Sequence, residues 1–223
     1  MGSPPRARPR PEEARICRVL DQLSDRYDID RFVGFHGRDP FRVLIGCILS
    51  LRTRDEVSFP ATARLFRRAR TPRSMAALAV EEIERRIYPA GFYRRKAIQI
   101  REISRRLLDD HDGRVPETID ALLTLPGVGR KTANLVVTLG FGLPGICVDV
   151  HVHRISNRLG WVRTSHPDET EFALREFLPA RYWIPLNEIL VRHGQTTCHP
   201  TSPWCSRGPV AADCPRESVT RSR

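Results

Sequence analysis

Lysine is nearly absent from this 223-residue chain: Lys96 and Lys131 are the only two among 37 Lys and Arg, and the rest are arginine. Arginine binds phosphate but does not readily shed its proton, so it is no amine nucleophile, and each lysine gains interest. Long apolar runs are also missing. The most hydrophobic stretch lies near Val43–Leu49, far short of a membrane-spanning helix. No apolar segment follows the charged MGSPPRARPRP start, so no secretory signal is visible. The alternating pattern of half-buried strands is almost absent. Membrane and secreted classes fall away first, and sheet-based folds with them.

What is present is positive charge. Thirty-seven Lys and Arg against 26 Asp and Glu leave a net charge of +11. A basic protein of this size is usually drawn to a polyanion, because each neutralised phosphate releases condensed counterions. The bland alternative is a solvated arginine-rich surface from a compositionally biased genome. The 40% hydrophobic and 28% charged content is that of a globular chain, not a disordered one.

The periodicity predicts an all-α fold. Asp39–Pro40 reads as an N-cap followed by Pro at the first helical position of PFRVLIGCILS. Over residues 94–109, Ile100, Ile103 and Leu107 share one face. Further helices are expected at about 12–27, 55–69, 80–87, 117–123, 130–139, 150–159, 168–177 and 180–192, joined by short Gly- or Pro-containing connections. Residues 1–11 and 216–223, rich in Pro, Ser and Arg, are expected to be disordered tails.

Six cysteines are present. Cys17, Cys47 and Cys147 sit alone in largely apolar segments and are expected to pack as small buried groups. Cys198, Cys205 and Cys214 fall together in a Pro-containing tail. In a cytosolic chain such a cluster points to metal rather than disulfides.

The most informative stretch runs from Leu122 to Trp161. Pro126 and Gly127 break one helix, Val128 anchors the turn, and Gly129 releases the chain into the next helix at Arg130. Such a turn leaves backbone N–H groups at a helix N-terminus, where a phosphate is held by hydrogen bonds and the helix dipole. The motif LPGVGRKTAN, followed by VDVHVHR, resembles the helix-hairpin-helix DNA glycosylase superfamily, and within it the endonuclease III family. The resemblance runs from about Pro40 to Cys214.

That resemblance implies two helical domains with a DNA-binding cleft between them. One spans 33–143 and carries the hairpin; 12–32 and 144–214 form the other, with the cysteine loop, and 215–223 trail behind. It places Lys131 at the nucleophile position and Asp149 at the essential carboxylate, reached through the Gly140–Gly145 loop, with both expected at the mouth of the cleft. Gly127, Val128, Gly129 and Arg130 would grip the DNA backbone. Phe92 would fill the gap left by an extruded nucleotide. Arg52 stands where many relatives carry a second inserting residue, a Gln, and would reach the orphaned base or a phosphate; His151 matches a position close to Asp149 and would contact DNA.

Each assignment has a plainer rival. Asp149 could only cap the helix that starts at Val150, Lys131 could be one more phosphate contact, Phe92 could be core, and His151 could be structural. The family's C-x6-C-x2-C-x5-C loop holds a [4Fe–4S] cluster; here Cys198, Cys205 and Cys214 fit three positions and Gly208 occupies the other. A cluster on three thiolates, an empty loop, and zinc bound with His199 all stay open. The implied activity is a bifunctional DNA glycosylase with AP lyase activity in base excision repair, excising oxidised pyrimidines. It would act as a cytoplasmic, nucleoid-associated monomer on damaged or abasic double-stranded DNA, with no membrane partner. The rivals are a monofunctional mismatch glycosylase and a non-catalytic DNA-binding helix-hairpin-helix protein.

Overall fold

The computed structural model describes residues 11–27 and 37–223. Among them there are helices and no strands, as the periodicity predicts. The chain divides into two compact units, one of residues 30–147 and one of residues up to 29 with 148–223.

The 30–147 unit is organised around α2 (Pro40–Ser50). Eight of its eleven residues are buried, including Leu44, Ile45, Ile48 and Leu49. A helix apolar almost all round belongs in a core, which explains the most hydrophobic stretch of the sequence. Asp39 caps it, accepting from the N–H groups of Phe41 at 2.9 Å and Arg42 at 3.2 Å. Around α2 lie α3 (Asp55–Arg68), α6 (Tyr93–Asp110) and α8 (Arg130–Leu135). The short α4 (Pro72–Ala76), α5 (Val80–Ile87) and α7 (Ile119–Leu123) complete the unit.

In the other unit α1 (Pro11–Arg26) and α9 (Val150–Arg158) pack on α11 (Leu186–Thr196), and α10 (Pro167–Phe177) packs on α9. Arg15 ties the helices to the tail, donating to the carbonyls of Asp213 at 2.6 Å and Leu159 at 3.0 Å.

Four expectations need correcting. The helix expected at 117–123 begins only at Ile119, where the Thr118 hydroxyl accepts from Ala121 N–H. The helix expected at 180–192 is a short 3-10 turn, Ala180–Tyr182, and then α11; Pro185, lacking an N–H, interrupts it and becomes the residue before the new helix. The helix expected at 130–139 is α-helical only to Leu135, and Val136–Gly140 widen into a π turn. That turn ends against α2, where a Cβ on Gly140 would lie 2.9 Å from Pro40 Cα.

The tail is the fourth. Residues 216–223 are ordered: Glu217 N–H bonds to Arg158 O at 3.0 Å, and Arg223 N–H to Pro203 O at 2.8 Å. The Arg207 and Arg223 guanidiniums both lie over the Trp204 ring, at 4.9 and 4.8 Å. Composition misleads here because arginine on an aromatic face supplies the packing that Ser and Arg otherwise lack. Of the other tail, expected at 1–11, Pro11 already begins α1 and residues 1–10 lie outside the described residues.

Candidate functional site

The hairpin turn between α7 and α8 is built as the motif predicts. Val128 is buried, and its N–H bonds to Leu125 O at 3.1 Å, closing the turn. Gly127 adopts φ +69°, and a Cβ there would run into the Gln99 side chain. Gln99, from α6, donates to Pro126 O at 2.9 Å and so fixes the turn from beneath. Among the described residues, none beyond its chain neighbours lies within 4 Å of a Cβ built on Gly129, at the approach to the α8 N-terminus. A helix start of this kind presents N–H donors to an anion.

Lys131 is in the first turn of α8 and exposed to solvent. Its carbonyl accepts from the Cys147 thiol at 3.7 Å, so the buried loop before Asp149 backs the helix that carries it. Beneath, on α2, burial pushes the Cys47 thiol up to about 12, a little offset by the Lys131 ammonium. Cys47 and Cys147 are buried packing groups, as expected, whereas Cys17, expected to be buried as well, is only partly so. The loop 142–149 has no regular structure. Its Gly145 lies close on α8 and the π turn after it, where a Cβ would meet Asn134 Oδ1 at 3.1 Å and Thr138 Cγ2 at 2.9 Å.

Asp149 belongs to the other unit, and is the N-cap of α9: its Oδ1 accepts from His151 N–H at 2.8 Å and Val152 N–H at 3.0 Å. The capping role is real; it uses one carboxylate oxygen and does not compete with an electrostatic role for the charge. His151 is half-buried against α11, close enough that a Cβ on Gly194 would run into its ring. Arg154 bridges His151 Nδ1, at 3.2 Å, and Cys198 O, at 2.9 Å.

Arg52 and Phe92 come together. They lie on different loops, yet the Arg52 guanidinium sits 5.8 Å from the centre of the Phe92 ring. Both residues hold left-handed backbone, φ +51° and +58°. Such strain costs about 1–3 kcal/mol per residue and tends to collect at functional sites. Phe92 is 62% exposed, which rules out the core reading. Between the two loops lies Lys96, only 4% exposed, and burial lowers its amine to about 8. Sequence reasoning marked Lys96 only as one of two lysines, without a role, and missed Gln99; no motif marks either, because what they do lies in what they bond across the fold.

Cys198, Cys205, Cys214 and Gly208 line one largely apolar cavity of about 310 Å³, including its open mouth. Burial, and the Cys198 and Cys205 sulfurs nearby, push the Cys214 thiol up. Arg158 donates to the Cys198 sulfur at 3.4 Å, the charge that thiolates need. Among the described residues no three Cys, His, Asp or Glu side chains converge as a single ion requires. His199 is not among the residues that line the cavity. The three cysteines thus share one space. Gly208 leaves the fourth position without a donor for a reason other than crowding. Its φ of −68° suits any residue, and a Cβ there would have its nearest contact at 3.5 Å.

Known proteins resemble this chain in sequence and fold. Residues 45–180 match the HhH-GPD superfamily base excision DNA repair protein family. Over 188 residues the chain is 52% identical to endonuclease III of Thermotoga maritima, covering 84% of this chain and 88% of that one. A solved structure of a trapped endonuclease III–DNA covalent intermediate superposes with a TM-score of 0.78 at 35% identity, over 92% of this chain and 96% of the other. A thermostable thymine-DNA glycosylase superposes with a TM-score of 0.79 at 27% identity, over 92% and 97%.

Proposed function

Because the chain belongs to the HhH-GPD superfamily of base excision DNA repair proteins, and within it to the endonuclease III family, we propose that it is a bifunctional DNA glycosylase with AP lyase activity. Its substrate is duplex DNA carrying a damaged base, an oxidised pyrimidine, or an abasic site. The observation that carries this reading is the contrast between the two lysines. Lys96 is buried and tied to three oxygens, whereas Lys131 stands exposed at the start of the helix after the Gly127–Val128–Gly129 turn.

The chemistry assigns the roles. As the bond from C1′ to the base breaks, the base leaves with the electron pair and is protonated, and the sugar gains oxocarbenium character. The Asp149 carboxylate stabilises that charge. The unprotonated Lys131 amine bonds to C1′, the C1′–O4′ bond opens, and an imine forms. The imine acidifies the 2′ proton; its removal expels the 3′ phosphate, cutting the strand. Backbone N–H groups of the Gly127–Val128–Gly129 turn, with Arg130, hold phosphate next to this sugar. Phe92 fills the vacated stack and Arg52 faces the unpaired base, offsetting part of the cost of extrusion. His151 supports the start of α9 from the Asp149 side.

The test is borohydride reduction during incubation with abasic duplex DNA. One covalent adduct is expected, mapping by mass spectrometry to the peptide that contains Lys131. A folded protein that releases bases yet traps no DNA would instead favour a monofunctional glycosylase, to which the thymine-DNA glycosylase likeness lends support. Absence of both activities would leave a DNA-binding module.

The cysteine loop has its own place in this reading. Cys198, Cys205 and Cys214 would hold a [4Fe–4S] cluster whose role is to order residues 198–214. Anaerobically purified protein should contain iron and sulfide in equal amounts, and Gly208→Cys should raise retention of iron in air. Iron-free protein of unchanged stability would mean that packing alone holds the loop.

A further inference from the structure

We propose that Lys96 is a positioning residue, the knot that holds the Arg52 loop against the Phe92 loop so that the two side chains enter DNA as one wedge. The proposal rests on the glycosylase reading above. Lys96 grips both loops at once. Through its main chain it bonds to Phe92, N–H to carbonyl at 3.0 Å. Through its ammonium it donates to Leu51 O at 2.6 Å and Thr53 Oγ1 at 2.9 Å, the residues on either side of Arg52, and to Leu49 O at 2.8 Å. Thr53 Oγ1 in turn accepts from Gly91 N–H at 3.1 Å, the residue before Phe92.

The two loops touch so closely that a Cβ on Gly91 would lie 2.7 Å from Arg52 O. All three acceptors of the ammonium are neutral oxygens, so this is a charge spent on arranging backbone rather than on an ion pair. Without it, the three oxygens lose their shared donor and two disfavoured left-handed residues lose what holds them.

A wedge needs that rigidity. An apolar side chain fills a gap in a base stack only if its approach is fixed before the stack opens. With its ring face under the Arg52 guanidinium, Phe92 is exposed and still oriented. Arginine offers only donors, so Arg52 can meet acceptors on the base left unpaired.

The experiment compares two substrates and a mutant cycle. Single-turnover base release from a damaged duplex needs the wedge; cleavage of an abasic site in single-stranded DNA does not. Lys96→Met should slow the first roughly 10- to 100-fold and leave the second within about twofold. It should also remove the fluorescence rise of a 2-aminopurine placed beside the lesion. Combined with Phe92→Ala it should add little to Phe92→Ala alone, as two parts of one device do. Should Lys96→Met fail to fold, Gly91→Ala tests the same contact with Lys96 intact, by forcing the loops apart.

Equal losses on both substrates in a folded variant would overturn the proposal, as would additivity with Phe92→Ala. A wild-type protein inert on single-stranded abasic DNA would count against the lyase reading instead. The 2-aminopurine signal would then still decide whether Lys96 sets the wedge.

Discussion

Lys131→Ala is expected to abolish borohydride trapping and to slow strand cleavage at an abasic site by at least about a thousandfold. The loss should be chemical, not structural. Lys131 is exposed, and alanine is the better helix former, so stability should change by no more than about 0.5 kcal/mol. Lys131→Gln keeps a polar, hydrogen-bonding side chain only one bond shorter while removing the nucleophile, and should behave alike. Binding to abasic DNA should weaken far less than cleavage, because the Gly127–Val128–Gly129 turn is untouched. A variant that still traps DNA at the wild-type rate would move the nucleophile elsewhere and remove the central assignment.

The second large effect concerns Asp149, where capping and electrostatic roles can be separated. Asparagine caps helices about as well as aspartate, so Asp149→Asn should keep both bonds to the His151 and Val152 N–H groups. Its melting temperature should stay near wild type, while base release falls on the order of 100- to 1000-fold for want of the negative charge. Asp149→Ala should lose activity and, in addition, about 1 kcal/mol of stability. Activity in Asp149→Asn close to wild type would reduce this residue to a cap.

Much of this was legible in the sequence, for identifiable reasons. Helix α2 could be read to the residue because Asp39, Pro40 and an unbroken apolar run all agree. The hairpin could be read because Gly127 has a backbone angle that other residues avoid. What stayed hidden depends on distance along the chain. The pairing of Arg52 with Phe92 spans forty positions, and no local pattern encodes it. The short α4 announces itself only through the Thr71–Ser74 capping box, too brief to register as a period. The π turn at Val136–Gly140 leaves the apolar spacing of its helix nearly intact, so a periodic reading runs straight through it. The tail was misjudged because Trp204, which its last arginine covers, lies nineteen residues earlier.

The left-handed backbone at positions 52 and 92 carries one more consequence. A glycine at either would relax the chain by about 1 kcal/mol while deleting the side chain that the strained geometry displays. Selection for thermal robustness and selection for opening the double helix therefore pull in opposite directions at these two residues. Attempts to harden the protein by consensus or directed evolution should be expected to erode its working edge there first.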